Sequence, residues 1–243
     1  MRHLSSVLPA QHTGIADVRA ILFDLDGTLV DSLQDLTCAA NHMCSALGHR
    51  KVSQDQVRRW IGHGALRLVE RALTATIGRA PSEVEVTDGY TLFKDYYLRA
   101  ICDHTTTYPG VRSMVKQLGA WGLHLGIVTN KPRGFAEALL ECLRLSQIFN
   151  VLVAGDDLAT MKPDPAMLIH ACRSLGIETS QAVYIGDSSA DVRAAQAAQM
   201  PVLVAAWGYD QAPTPRDLKV DWVMEAASDM TRWLSQRLGH DPR

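Results

Sequence analysis

The chain has 243 residues, 47% of them hydrophobic and 21% charged, which is typical of one globular domain or of a domain that carries an insert. Its formal net charge of −2 argues against a basic surface for nucleic acid, and no apolar stretch predicts a signal peptide or a membrane span. The five cysteines are odd in number and include no CxxC pair, so we expect free thiols and a cytoplasmic location.

Short β-rich runs recur along the chain, each bounded by Gly, Pro or Asp. These runs lie at residues 20–24, 123–129, 150–155, 182–187, 201–206 and 221–224. The segments between the later runs have helical spacing, with helices expected from Val111 and near Gly134, Pro165 and Ala190. Strands that alternate with helices predict an α/β fold, a doubly wound Rossmann-like parallel sheet with helices on both faces. Residues 1–17 are expected to form an N-terminal extension.

Only helical patterns occur between the first run and about residue 106. A Ser32–Asp35 capping box is expected to start the first helix, and a Ser53–Gln56 box the second. Two further helices are expected at about residues 64–77 and 81–103. We therefore expect a helical cap domain at residues 32–106, inserted into a core domain formed by residues 18–31 and 107–243.

Chemically distinctive side chains follow four of the predicted strands. They are Asp24 and Asp26, Thr129 and Asn130, Lys162, and Asp187 with Asp191. Ligands of open α/β sheets bind beyond the carboxyl ends of the strands, so these groups are expected to converge on one edge of the sheet. Carboxylates held together repel one another, and Mg²⁺ bound by carboxylates and a substrate phosphate relieves that repulsion. A calcium-binding EF-hand does not fit, because its loop needs a glycine at position six and a glutamate at position twelve.

The segments FDLDGTLVDS, IVTNKP, KPDP and GDSSAD occur in the order of the four motifs of the haloacid dehalogenase (HAD) superfamily, and they resemble those motifs. The helical insert resembles the C1-type cap of that superfamily. RRWIGHGALRLVERAL and YPGV are similar to its phosphoglycolate phosphatase subgroup. The resemblance implies a magnesium-dependent phosphomonoesterase that acts on a small-molecule phosphate ester, first of all 2-phosphoglycolate, through an aspartyl-phosphate.

The resemblance also implies the catalytic and metal-binding roles. Asp24 would be the nucleophile that attacks phosphorus. Asp26 would protonate the departing alkoxide and would then activate water. Asp24, Asp187 and the backbone carbonyl of Asp26 would bind Mg²⁺.

Phosphate-binding and supporting roles are implied for five further residues. Thr129, Asn130 and Lys162 would hold the phosphoryl oxygens, where charge stabilisation dominates the transfer. Asp191 would orient Lys162 or a metal-bound water, or would simply cap the following helix. Thr28 would either bond the phosphate or cap the turn.

The insert is expected to select the leaving group. Gly62, His63 and Gly64 precede a helix whose free N–H groups suit a carboxylate, although the two glycines equally suit a plain turn. Arg67 and Lys131 are further candidates for the substrate carboxylate. His63 replaces the Asn that is more usual in the subgroup.

Three alternatives remain open at this point. A phosphatase for another small sugar phosphate of the N-acetylmuramate 6-phosphate type has the same motifs, and a phosphomutase uses the same catalytic set. A phosphoryl-accepting receiver or binding module also combines Asp, Thr and Lys, but it needs neither Asp26 nor a large insert. Gln199 stands where the superfamily often has a glycine, and the sequence leaves the oligomeric state open.

Overall fold

The computed structural model describes residues 17–209, 218 and 220–238, so the predicted N-terminal extension lies outside it except for Asp17. The strands are β1 (Ala20–Phe23), β2 (Val30–Asp31), β3 (Thr106–Thr107), β4 (His124–Val128), β5 (Val151–Val153), β6 (Ala182–Gly186), β7 (Val202–Ala205) and β8 (Trp222–Met224). The α-helices are α1 (Leu33–Ala46), α2 (Gln54–Arg58), α3 (Ala65–Ile77), α4 (Glu83–Arg99), α5 (Val111–Ala120), α6 (Arg133–Cys142), α7 (Ala166–Leu175), α8 (Ser189–Ala197) and α9 (Ala227–Leu238).

Six of the strands form one parallel sheet in the order β5-β4-β1-β6-β7-β8. These are the six strands that the sequence predicts, and the doubly wound α/β fold is confirmed. The runs are apolar because strands of a parallel sheet are covered on both faces. Along β1, Ile21 and Phe23 join the apolar cluster on one face and Ala20 and Leu22 join the cluster on the other.

The position of β1 in the sheet fixes where a ligand can bind. Its neighbours are β4 on one side and β6 on the other, and the chain winds outward from β1 in both directions. The carboxyl end of β1 is therefore a point where the strand order reverses, and open α/β sheets have their binding crevice at such a point. The loops after β1, β4 and β6 border this crevice.

Helices α1 to α4, called the helical insert below, lie between β2 and β3 in the chain. These two strands pair antiparallel, Val30 with Thr107 and Asp31 with Thr106, so the two chain segments that lead into and out of the insert are joined. The sequence did not predict this small sheet, because two-residue strands are too short to show an alternating pattern. Helix α9 was not predicted either.

The predicted Ser32–Asp35 capping box is wrong. Ser32 precedes α1 but its side chain makes no cap hydrogen bond, and its hydroxyl donates to Asp26 instead. Asp35 accepts from the backbone N–H groups of His104 and Thr105 and from the Thr105 hydroxyl, at 2.6–3.1 Å. Both side chains thus serve long-range contacts, which local spacing does not reveal. The predicted Ser53–Gln56 box is confirmed.

The prediction of five free thiols is wrong for two of them. Cys102 and Cys142 form a disulfide with a Cα–Cα separation of 6.6 Å, within the usual range for such bonds. It joins the segment after α4 to the end of α6. The two cysteines are 40 positions apart in the chain, which is too far for a local sequence pattern to predict the pair. Cys38, Cys44 and Cys172 are free. Within the described residues, no helix combines the length and apolarity that crossing a membrane requires.

Candidate active site

The turn after β1 brings Asp24 next to the end of β6. Gly27 has a φ of +89°, and a Cβ at this position would lie 2.3 Å from Asp187 Oδ2. A side chain is excluded there both by the left-handed backbone and by this contact. Glycine therefore allows the loop after β1 and the loop after β6 to meet, and both present a carboxylate at the same place.

Three buried carboxylates meet at this edge of the sheet. Asp24, Asp187 and Asp191 each place an oxygen within 4.8 Å of the other two. Burial, followed by the charges of Asp191 and Asp24, raises the pKa of Asp187 well above its usual range. Burial also raises the pKa of Asp24 to about 6, although Lys162 opposes the shift. The site thus favours protonation or a bound cation.

Lys162 is the cation that the chain itself supplies. Its Nζ donates to Asp191 Oδ1 at 2.7 Å, to the Tyr184 hydroxyl at 2.7 Å and to the Val128 carbonyl at 2.9 Å. Burial would lower the pKa of Lys162, but the charges of Asp191 and Asp24 raise it. The same ion pair, against the effect of burial, holds the pKa of Asp191 below its ordinary value. Lys162 therefore stays charged.

Asp24 lies beside the positive charge of Lys162 but accepts no hydrogen bond from it. Asp24 Oδ1 lies 2.9 Å from Lys162 Nζ, whose three donors are directed at other acceptors. This buried oxygen has no hydrogen-bond donor in the described part of the chain. A buried charged oxygen without a donor is costly, so its environment suits a metal ion or a reacting phosphorus.

The residues present fit a hard divalent ion such as Mg²⁺, which prefers carboxylate oxygens. Asp187 is oriented by the Thr28 hydroxyl at 3.0 Å and by the Tyr209 N–H at 2.8 Å. Asp191 is saturated, because it accepts from Lys162, Tyr184 and the N–H and hydroxyl of Ser188. Asp24 and Asp187 are therefore the side chains best placed to hold the ion, and Asp191 holds Lys162.

The predicted phosphate-binding residues of the loop after β4 have different surroundings. Thr129 is buried and lines a small cavity together with Asp24 and Asp26. The Asn130 side chain is used for scaffolding: it donates to the carbonyls of Gly62 and Lys162 at 2.8 and 2.9 Å and accepts from the Lys162 N–H at 3.0 Å. Asn130 therefore joins the helical insert to the core, and its side chain is not available to a phosphate.

A larger cavity of about 770 Å³ opens above the carboxylates. Asp24, Asp26 and Asp187 line it from the core. Arg58, Arg59, Gly62 and His63 line it from the insert. The cavity thus has acidic groups that can hold a cation on one side and two guanidinium groups on the other.

Arg67 and Lys131, the two candidates for the substrate carboxylate, do not line the larger cavity. For Arg67, 64% of the side chain is exposed, and its guanidinium forms an ion pair with Glu70 at 2.5 Å. Lys131 is buried beside the smaller cavity, and it donates to both oxygens of Asp26 at 3.0 Å. Gly64 caps the N-terminus of α3 and lines only the smaller cavity.

Sequence reasoning missed Arg58, Arg59 and Tyr209 as lining residues. The two arginines lie just before Gly62, His63 and Gly64, which the sequence suggests as substrate-binding residues, so their charge is an available signal. Tyr209 follows β7, and extending the strand-end rule to that strand would have included it.

Comparisons of the sequence and of the structure with known proteins both find haloacid dehalogenase-like hydrolases. The family model for haloacid dehalogenase-like hydrolases matches residues 21–205. A protein of Cupriavidus necator named phosphoglycolate phosphatase, plasmid, is 42% identical over 207 residues, covering 85% of this chain and 89% of its own. The phosphoglycolate phosphatase of Psychrobacter arcticus is 40% identical over 205 residues, covering 83% and 89%. A crystal structure described as a predicted phosphoglycolate phosphatase from Haemophilus somnus 129pt superposes with a TM-score of 0.86 at 31% identity, covering 91% of this chain and 100% of that one.

Proposed function

The chain belongs to the haloacid dehalogenase-like hydrolase family, among its phosphatases, and we propose that it hydrolyses 2-phosphoglycolate to glycolate and phosphate through a phosphorylated Asp24. The observation that carries the proposal is the environment of Asp24. This carboxylate lies at the floor of the larger cavity, beside the ammonium of Lys162, with an oxygen that no described group donates to. An ionised oxygen beside a fixed positive charge is the arrangement that an attack on phosphorus requires.

The reaction proceeds in two balanced steps. Asp24 attacks phosphorus and forms a P–O bond as the ester P–O bond breaks, and the departing alkoxide takes a proton from Asp26. Asp26 then removes a proton from water, the water oxygen attacks phosphorus, and the bond to Asp24 breaks to release phosphate. The free carboxylate of Asp24 and the protonated Asp26 are thereby restored for the next turnover.

Lys162 stabilises the charge that develops on the phosphoryl oxygens through its own charge, because its three N–H donors already bond Val128, Tyr184 and Asp191. Asp191 and Tyr184 fix the position of the ammonium before the substrate arrives, so no reorganisation is needed during the transfer. Asp24 and Asp187 would hold Mg²⁺ together with the backbone carbonyl of Asp26. When bound, the ion supplies positive charge that shields the carboxylates from one another and from the phosphate.

The choice of substrate rests on the named relatives and on the insert. A phosphate ester that also carries a carboxylate has two anionic ends. The larger cavity offers a cation site on the core side, and Arg58 and Arg59 with His63 on the insert side. A guanidinium binds a carboxylate through two parallel N–H donors, so the arginines replace Arg67 and Lys131 as the groups expected to bind that end.

The size of the larger cavity favours a second candidate substrate. About 770 Å³ is a volume typical of sites for much larger ligands than phosphoglycolate. A sugar phosphate of the N-acetylmuramate 6-phosphate type would fill more of it. The two candidates share the chemistry at Asp24 and differ only in what the insert contacts.

The experiment is a comparison of kcat/KM for phosphate release from 2-phosphoglycolate, N-acetylmuramate 6-phosphate and ethyl phosphate, with Mg²⁺ present. We expect 2-phosphoglycolate to give the largest kcat/KM. We expect Arg58→Met to raise KM for 2-phosphoglycolate on the order of 10-fold, as for a lost charge-assisted contact of about 1.4 kcal/mol, while ethyl phosphate is little affected. Arg67→Met serves as the matched variant and is expected to leave both substrates unchanged.

The same set of substrates and variants tests the substrate, the carboxylate-binding arginine and the phosphatase activity separately. If the sugar phosphate is turned over best, the substrate assignment is wrong but the phosphatase assignment stands. If Arg67→Met raises KM and Arg58→Met does not, the sequence-based choice of Arg67 is restored. Absence of phosphate release from every ester would remove the proposed function altogether.

A further inference from the structure

Lys131 and Asp26 form a buried ion pair where the helical insert meets the core. Lys131 Nζ lies 3.0 Å from each carboxylate oxygen of Asp26. Only 3% of the Lys131 side chain and 11% of the Asp26 side chain are exposed. Solvent screens such a pair little, so the ammonium fixes the carboxylate more firmly than a surface lysine would.

Tyr97 of α4 accepts a hydrogen bond from the third N–H of Lys131. Its hydroxyl lies 2.8 Å from Lys131 Nζ, and the ammonium lies 4.8 Å from the centre of the tyrosine ring. An ammonium has three donors, and here two are directed at Asp26 and one at Tyr97. Lys131 consequently has no donor left for a substrate carboxylate, which argues against its predicted role in substrate binding.

Tyr97 is itself held rigidly between the insert and the core. The ring is fully buried and packs against Phe93 of α4 at 5.7 Å and edge-on against Phe135 of α6 at 5.1 Å. Burial raises the pKa of Tyr97 to about 12, so its hydroxyl is neutral and can accept from Lys131. The packing of α4 against α6 therefore determines where Lys131 lies.

The two oxygens of Asp26 are held differently. Oδ1 accepts from the Ser32 hydroxyl at 2.5 Å as well as from Lys131. Oδ2 accepts only from Lys131 among the described residues. Asp26 also lines both cavities above Asp24. Oδ2 is therefore the oxygen with a lone pair free to exchange a proton with a leaving group.

We propose that Lys131 and Tyr97 are positioning residues that aim Asp26 Oδ2 at the leaving oxygen of the substrate. This inference rests on the proposed function, in which Asp26 protonates the departing alkoxide. Neither residue touches the substrate, and both act through Asp26. Because Tyr97 belongs to the insert, protonation of the leaving group requires α4 to be packed against the core.

The test separates proton transfer from binding with three phosphate esters. 2-Phosphoglycolate and ethyl phosphate have alkoxide leaving groups that need a proton, and only the first carries a carboxylate. p-Nitrophenyl phosphate has a leaving group that departs without one. The quantity compared is kcat/KM, which covers the steps up to departure of the leaving group and excludes the later hydrolysis of phosphorylated Asp24.

We expect Lys131→Met to lower kcat/KM for both alkyl esters on the order of 10–100-fold, a part of the usual contribution of a general acid, and for the aryl ester by less than about 3-fold. Tyr97→Phe removes only the hydroxyl and is expected to show the same selectivity at roughly 3–10-fold. Lys94→Met and Tyr96→Phe are matched controls on α4, at an exposed and a half-buried position, and should change none of the three values.

Retained turnover of the aryl ester shows that each variant is folded and binds phosphate. Loss confined to 2-phosphoglycolate would mean that Lys131 contacts the carboxylate, and it would overturn the proposal. Equal losses for all three esters, or none, would also overturn it. If the wild-type protein hydrolyses none of the esters, the proposed function itself fails, which is a distinct result.

Discussion

Mg²⁺ is expected to stabilise the protein strongly near neutral pH and weakly in acid, because of the buried carboxylates. Burial raises the pKa of Asp24 from its ordinary value of 3.8 to about 6. Since the folded-state pKa exceeds that of the unfolded chain, the stability linked to Asp24 is complete below about pH 3.8 and is lost as the pH rises through about 6. A shift of about two units amounts to roughly 3 kcal/mol, and Asp187 shifts in the same direction.

A bound divalent cation offsets this loss, because it stabilises the ionised carboxylates of the folded state. For a chain of this length, 3 kcal/mol corresponds to roughly 6–12 °C in Tm. We therefore expect saturating Mg²⁺ to raise Tm by about that amount at about pH 7.5, and by less than about 3 °C at about pH 5. The measurement is thermal unfolding of chelator-treated protein, with sodium chloride at matched ionic strength as the salt control.

Substitutions show which carboxylates cause the pH-dependent stabilisation by Mg²⁺. Asp24→Asn and Asp187→Asn each remove one of the repelling charges, so both should reduce the response to Mg²⁺ and flatten the pH dependence of the metal-free protein. Asp55→Asn is the matched control, an exposed acid that lines the same cavity, and it should keep the wild-type response. Equal stabilisation by Mg²⁺ at both pH values, or a full response in Asp24→Asn, would show that Mg²⁺ does not act through these buried carboxylates.

Three further changes test other parts of the structure. Lys162→Met leaves Asp191 buried without its cation and should lower the free energy of unfolding by about 3–5 kcal/mol in urea titrations; a loss under about 1 kcal/mol would contradict the ion pair. Asp35→Ala leaves buried donors of Thr105 unpaired and should cost about 1–3 kcal/mol, with faster amide exchange at residues 104–105; unchanged exchange would argue against this link. Gln199 is exposed and has a left-handed backbone with a φ of +53°, which glycine adopts more easily. Gln199→Gly should therefore stabilise the protein by about 0.5–1 kcal/mol in the same titrations, and a destabilised variant would contradict the idea that this backbone is strained.

The strands and the edge that holds the site could be predicted because both depend on local pattern. Strands covered on both faces must be apolar, so each appears as a short uninterrupted run. The carboxyl ends of parallel strands face the same edge, so residues after different strands were expected to meet. The structure brings Asp24, Asp187 and Asp191 together in this way, with Lys162 at 2.9 Å from Asp24.

The contacts between the insert and the core could not be predicted, because they join residues far apart in the chain. Asp35 seemed to belong to a local capping box, yet it binds backbone groups about 70 residues away. Lys131 looked like a free positive charge near the site, but Tyr97 and Asp26 use all of its donors. Sequence shows the charge of a side chain and not which group satisfies it, so it does not reveal that Arg67 is paired with Glu70.

In the proposed reaction, Asp24 carries the phosphoryl group during turnover. In an Asp26→Asn variant the water that hydrolyses the intermediate lacks its base, so phosphorylated Asp24 should accumulate. The measurement is acid quenching of this variant during reaction with Mg²⁺ and p-nitrophenyl phosphate, whose leaving group departs without a proton from residue 26, followed by peptide mass spectrometry. We expect one phosphoryl group on Asp24 and none on a parallel protein that carries both Asp24→Asn and Asp26→Asn. Turnover without any phosphorylated protein, or phosphorylation at another residue, would contradict this role of Asp24.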